Sequence, residues 1–314
     1  MAFWRRGQAE KPRSQPDPTF DFLTVEQAAR LRELARVAFA EAGVETVPHA
    51  QHLEAVDGRQ FGLWNLAAGC AQAPGGEPEW PLVVREHVAT TLHGLDGPDI
   101  GQMPAEDVLA LAHLRLVDAA SMPPALRGSL SYARDLPGGL LEVVAVDLPD
   151  TVSMLTDEDV ARVGEAEVRE AGLRNLVDVP VESYEVVGEP GAGALHVVEG
   201  SSFFTASKLL AFESVLGQTW GSQELPYGAV VAVPTRHMLV FHPVEAIDVL
   251  GAVQQLTGLA ASFFDEHPGG VSPFVYWWHQ GELTQLSAFD EEGSLRIEVG
   301  DGFTEVLNEL AARG

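Results

Sequence analysis

Residues 227–243, YGAVVAVPTRHMLVFHP, restrict the possible folds more than any other stretch. Two runs dense in Val, Ala, Leu and Phe flank a Pro-Thr-Arg break, so the chain extends, breaks and extends again. Along the second run, His237, Leu239 and Phe241 share one face; Arg236, Met238, Val240 and His242 share the other. Both faces are largely apolar, which places such a strand centrally in a sheet covered on each side. His237 and His242 point to opposite sides of a regular strand and cannot ligate one metal together. Arg236, at the mouth of the buried strand, needs a carboxylate or several carbonyls. It either makes an internal salt bridge or grips a carboxylate, phosphate or peptide terminus.

The rest of the chain supplies the layers for this sheet. Thr24 and Gln27 form a capping-box pattern ahead of Leu31, Leu34, Val37 and Ala38 at helical spacing, and Gly43 gives the stop. Strand periodicity follows, with an Asp57-Gly58 hairpin turn, and then WNLAAGCAQA and EWPLVVREHVATTLHGL read as helices. Residues 20–94 therefore form a small α+β unit. Residues 1–19 read as a disordered polar arm, and 95–104 as a Gly- and Pro-bearing connection.

The second unit spans 105–314. VLALAHLRLVDA is a long strand or a buried helix, since its apolar density fits both. GLLEVVAVDLP is a strand after the Pro137-Gly138-Gly139 turn. EAEVREAGLRNL is a helix burying Val168, Ala171, Leu173 and Leu176. Strands at 182–187 and 194–199 and a helix at 205–216 precede the 227–243 pair. A long helix follows with Ile247, Leu250, Val253 and Leu256 in register. FVYWWHQGELTQLSAF reads as a hairpin turning at Gln280-Gly281, and a helix at 302–312 closes the chain. Hairpins with interspersed helices imply α+β with a mainly antiparallel sheet.

Charge narrows the partners. Asp and Glu total 46 against 19 Lys and Arg, a formal net charge of −27 over 314 residues. That field disfavours nucleic acid and anionic lipid and suits either solubility or a basic protein partner. No apolar run reaches the roughly 18–20 residues that span a bilayer. The N-terminus lacks the apolar segment of a signal peptide, and Phe3, Trp4, Arg5 and Arg6 are too short a cluster for membrane anchoring. Cys70, the single cysteine, gives no intramolecular disulfide, and a cytoplasmic location is expected.

Motifs for chemistry are missing. There is no HExxH and no G-x-S-x-G, and Ser201-Ser202 lack the second glycine of a nucleophile elbow. GEPGAGA at 188–194 reads as a turn. Asp147, Asp157, Glu158 and Asp159 read as turn and helix-start residues. Cys70 reads as an inert buried thiol. His49 and His52 flank a possible strand, and their spacing puts them on opposite faces, short of a metal site. Trp277 and Trp278 also face opposite sides, leaving one available for binding.

A strand ending near Asp147, a helix ending in Ala171, Asn175 and Leu176, a helix carrying Ala206-Ser207, and a strand ending at Val233 to Arg236 follow one another in order. In these, residues 105–314 resemble the YtpQ-type bacterial family of unknown function. The resemblance implies a fold unit but no activity, cofactor or catalytic residue. Where it leads one to expect Asp after the arginine, this chain has His237. The expected function is non-enzymatic protein binding, as an adaptor, chaperone-like or immunity-type protein. The alternative is an enzyme or small-ligand sensor whose pocket contains Arg236, His237 and Asp147 near the Trp277-Trp278 hairpin. No catalytic residue, metal ligand or cofactor is assigned.

Overall fold

The computed structural model describes residues 15–95, 98–122, 124–149, 151–189, 193–221, 225–267, 269–290 and 292–313. Residues 1–14 of the expected arm, with Phe3 and Trp4, lie outside the described residues, as do 190–192 of GEPGAGA. The chain divides into two compact units, 1–92 and 93–314. It is α+β, and every strand pairing among the described residues is antiparallel.

In the first unit α1 (Val25–Glu41) starts at Thr24, whose hydroxyl accepts from Gln27 N–H while the Gln27 side chain accepts from Thr24 N–H. Order begins before Phe20. Asp17 is buried and bonds the backbone N–H groups of Thr19 and Phe20 and the guanidinium of Arg32. Strands β1 (Thr46–Pro48), β2 (His52–Ala55) and β3 (Gln60–Gly62) form a meander, followed by α2 (Trp64–Ala71) and α3 (Trp80–Leu95). Phe20, Leu31, Phe39, Leu53, Phe61 and Trp80 meet in its core.

His49 and His52 do not lie on one strand. Pro48 pairs with Leu53, and His49 N–H donates to His52 O at 2.8 Å, so residues 49–52 make the hairpin turn. Residues opposite one another across a hairpin share a face, which corrects the opposite-face expectation.

The second unit begins with α4 (Ala105–Leu111), which passes directly into β4 (Ala112–Asp118); the ambiguous apolar run is half helix and half strand. The segment read as a connection carries a 3-10 turn at Ile100–Gln102, with Ile100 and Met103 packed against this unit's core. A helical turn α5 (Pro124–Arg127), β5 (Arg134–Asp135), β6 (Leu140–Leu148) and β7 (Thr151–Met154) follow. β6 pairs with β4, β5 and β7.

Helices α6 (Asp157–Val163) and α7 (Glu165–Asp178) come next. Helix α7 buries Val168, Ala171 and Leu176 as expected, while Leu173 is exposed and Gly172 takes the contact face. A Cβ on Gly172 would lie 2.9 Å from Leu114 N, so the missing side chain lets helix and strand backbones approach.

Strands β8 (Ser183–Val187) and β9 (Leu195–Glu199), a 3-10 helix Ala206–Ala211, α8 (Phe212–Thr219), β10 (Ala229–Ala232), β11 (Met238–Pro243) and α9 (Val249–Glu266) follow. Then come β12 (Val275–His279), β13 (Glu282–Gln285), β14 (Ser287–Phe289), β15 (Leu295–Ile297) and α10 (Asp301–Arg313). The six-stranded sheet runs β13-β12-β10-β11-β9-β8, with the 227–243 pair at its centre. Val230, Ala232, Met238 and Val240 face α9 and α10. Val231, Leu239 and Phe241 face Leu209, Phe212 and Val215. Gln280 and Gly281, both at positive φ, make the two-residue β12–β13 turn. Ile247 and Leu250 are about half exposed; Val249, Ala252, Val253 and Leu256 form the buried stripe of α9 instead.

Lys208, wholly buried in the 3-10 helix, donates to the carbonyls of Val179 and Leu176 at the C-terminal end of α7, where orphan acceptors and the helix dipole favour a cation. No helix among the described residues is long and apolar enough to cross a membrane.

Candidate functional site

The centre of interest is the link between β10 and β11. Thr235 bridges to Gly270, Arg236 N–H donates to Gly269 O at 2.9 Å, and Arg236 O accepts from Ala206 N–H at 3.1 Å. Gly200 N–H reaches His237 O at 3.1 Å, and Met238 N–H returns to Thr235 O to close the turn. Arg236 and His237 thus occupy a turn fixed by three separate segments. These four backbone hydrogen bonds fix the turn, leaving the side chains to set its chemistry.

The guanidinium carbon of Arg236 sits 4.4 Å from the centre of the exposed Phe203 ring, a cation–π contact. Arg236 Nε–H donates to His237 Nε2 at 3.0 Å, and His237 Nδ1 lies 3.1 Å from Gly200 O. A carbonyl can only accept, so His237 carries its proton on Nδ1 and Nε2 is the acceptor for Arg236. Burial and the adjacent Arg236 charge push His237 below its usual range, which agrees with a neutral ring. Gly269, at positive φ, makes room: a Cβ there would lie 2.8 Å from Arg236 Nε.

A second guanidinium enters from β4. Arg115 pairs through its backbone with Val143, and its Nε is buried without a hydrogen-bond acceptor. Burial, and then the charge of Arg236, push Arg115 down to about 10, with Asp147 opposing. Burial also lowers Arg236. Asp147 is exposed near the end of β6 and bonds neither arginine among the described residues.

The contrast with Arg169 is instructive. That residue, more deeply buried than either, bonds Glu142, Glu165 and the Tyr132 carbonyl through its guanidinium. In a chain with 46 acids and 19 bases, a carboxylate partner is the default for a buried arginine. Arg115 and Arg236 have none among the described residues. The expectation that Arg236 closes an internal salt bridge is corrected: an aromatic face and a neutral imidazole hold it.

The remaining expected residues lie elsewhere. Trp278 pairs with Ala229, at the opposite end of β10 from the Arg236 turn. Trp277 packs on Phe303 and Trp278 on Phe212, both buried in cores on opposite sheet faces. Neither tryptophan is left open for binding. His242 is buried with Nδ1 on Ala194 O. The Cys70 thiol is buried and pushed up to about 11, so it is unreactive.

Arg115 escaped the sequence reading because one arginine in an alternating strand looks like an ordinary solvated position. Only its long-range approach to Arg236 distinguishes it. Two guanidiniums repel a metal cation, and the cluster suits an oxyanion. Comparison with protein-family models, curated proteins and solved structures finds no match to this chain.

Proposed function

We propose that the second unit binds a small oxyanionic ligand, a carboxylate or a phosphate, at Arg115 and Arg236. The observation that supports this reading is the pair of partly buried guanidiniums, Arg115 lying in the field of Arg236 with its Nε buried and unpartnered, and neither bonded to a carboxylate among the described residues. A bound anion would neutralise both and accept from Arg115 Nε. The reading is of binding rather than turnover, because the contacting His237 already uses both ring nitrogens. A cytoplasmic location and membership of the YtpQ-type family belong to the same proposal. They are supported by the lone buried cysteine and by the ordered motifs from Asp147 to Arg236. The charge of −27 supports a basic protein partner as a separate expectation, whose association rate should fall as salt rises.

The test is thermal unfolding with phosphate, citrate or chloride at matched ionic strength, on the full chain and on Arg115→Met and Arg236→Met. Phosphate or citrate should raise Tm of the parent chain above chloride, and both variants should lose that increment. Without ligand, Arg115→Met should stabilise by about 1 kcal/mol, since an unpaired buried charge is replaced by an apolar chain of similar length. An anion response that survives in both variants, or no response in the parent, overturns the reading.

A further inference from the structure

The hairpin turn between β1 and β2 gathers chemistry of a different kind. Val47 pairs with Glu54 and His49 closes on His52, so His49, His52 and Glu54 project from one face of the hairpin. The two imidazole rings stack with centroids 4.6 Å apart and planes 16° from parallel. His49 Nε2 is 3.3 Å from Glu54 Oε2, and one ligand atom from each of the three side chains lies within 4.8 Å of the others. Two ligand atoms on one tetrahedral ion, each about 2.0–2.1 Å from it, stand about 3.3 Å apart. The His49–Glu54 pair already has that spacing, and His52 joins it when the stacked rings turn out of parallel so that both in-plane lone pairs meet at one ion.

Two further observations separate this cluster from a chance meeting of surface groups. His52 Nε2 is buried without a hydrogen-bond partner, so the ring lacks the bond that normally satisfies that nitrogen. The turn itself is braced. Arg32 donates twice to Ala50 O, at 3.1 and 2.9 Å, while pairing with buried Asp17, and Leu63 N–H donates to Gln51 O at 2.9 Å. The Arg32 guanidinium also lies over Phe20, in the core of the first unit. The ligand-bearing backbone is therefore held before any ion arrives, which reduces the ordering cost of binding.

We propose that His49, His52 and Glu54 bind a divalent first-row transition metal, zinc in the first instance, with a remaining coordination position open to water. Two imidazoles and one carboxylate are a borderline donor set that favours such ions over Mg²⁺ or Ca²⁺, which prefer all-oxygen shells. The hairpin explains why the spacing escapes a strand-parity reading: a turn reverses the chain between the two histidines.

The experiment is calorimetric titration of the metal-free full chain with Zn²⁺ in excess Mg²⁺, so that the acidic surface is occupied by the harder ion. Co²⁺ absorption in the visible is the second readout. One equivalent of Zn²⁺ should bind, and His49→Ala, His52→Ala and Glu54→Gln should each weaken it at least ~10-fold, the lower end for disturbing even outer partners of a metal site. Circular dichroism of each variant establishes that the fold persists, and Glu54→Gln preserves shape if an alanine variant does not fold. His279→Ala, a histidine on the other unit, should leave binding unchanged. Absence of Zn²⁺ binding under Mg²⁺, or equal affinity in Glu54→Gln and the parent, overturns the proposal.

Discussion

Acidification from pH 6.5 to pH 4 should cost the folded chain about 3 kcal/mol through His196. This histidine is buried on β9, with its ring stacked on Phe241, edge-on to Trp220, and Nδ1 2.7 Å from the Tyr184 hydroxyl. Burial first, and His242 second, push it from 6.5 down to about 4. The unfolded chain takes up this proton as pH falls through 6.5, while the folded chain resists until about 4. Stability is lost across that interval and levels off below it, at ~1.4 kcal/mol per pH unit. His237, displaced in the same direction, adds to the slope. Urea midpoints at closely spaced pH values should trace the loss, and His196→Gln should flatten it. Equal slopes in parent and variant would rule out His196 as the source.

The second large effect is at Gly228, which turns the chain into β10. Its φ is +71°, and a Cβ there would stand 2.0 Å from the carbonyl oxygen of Trp278 on the neighbouring strand. Gly228→Ala must therefore adopt a left-handed conformation and also push β12 away from β10, where Ala229 pairs with Trp278. The expected loss is at least ~3 kcal/mol, the sum of backbone strain and a disrupted central ladder. Gly217→Ala is the control. Gly217 lies in α8 with nothing within 4 Å of an added Cβ, so alanine there should be neutral or stabilise by up to ~1 kcal/mol. A Gly228→Ala chain within ~1 kcal/mol of the parent would show that the sheet yields easily at its centre.

What the sequence revealed and what it hid divide along physical lines. The Thr24–Gln27 cap, the Gln280-Gly281 turn and the doubly apolar strands at 229–243 are local signals, and each appears where its chemistry places it. Helix α9 was legible as a helix, but its buried stripe passes through Val249 and Ala252 rather than Ile247 and Leu250, because alanine gives little hydrophobic contrast. Arg236 and His237 were legible as a break with chemistry in it. Their partners were not, since Phe203, Gly269 and Arg115 arrive from distant segments. The histidines at 49 and 52 were misread for a related reason. Parity arguments assume one continuous strand, and a four-residue reversal inverts their conclusion.

Lys208 makes the second unit a natural reporter of its own opening. An acylating reagent needs a neutral amine that it can reach, and this amine lies wholly buried against the α7 carbonyls. Covalent labelling at residue 208 must then wait for the 3-10 helix to lift away from α7. Its rate under mild conditions measures how often that happens, in the manner of hydrogen exchange but at a side chain. With lysine at only positions 11 and 208, the readout comes at a single peptide and needs no engineered probe.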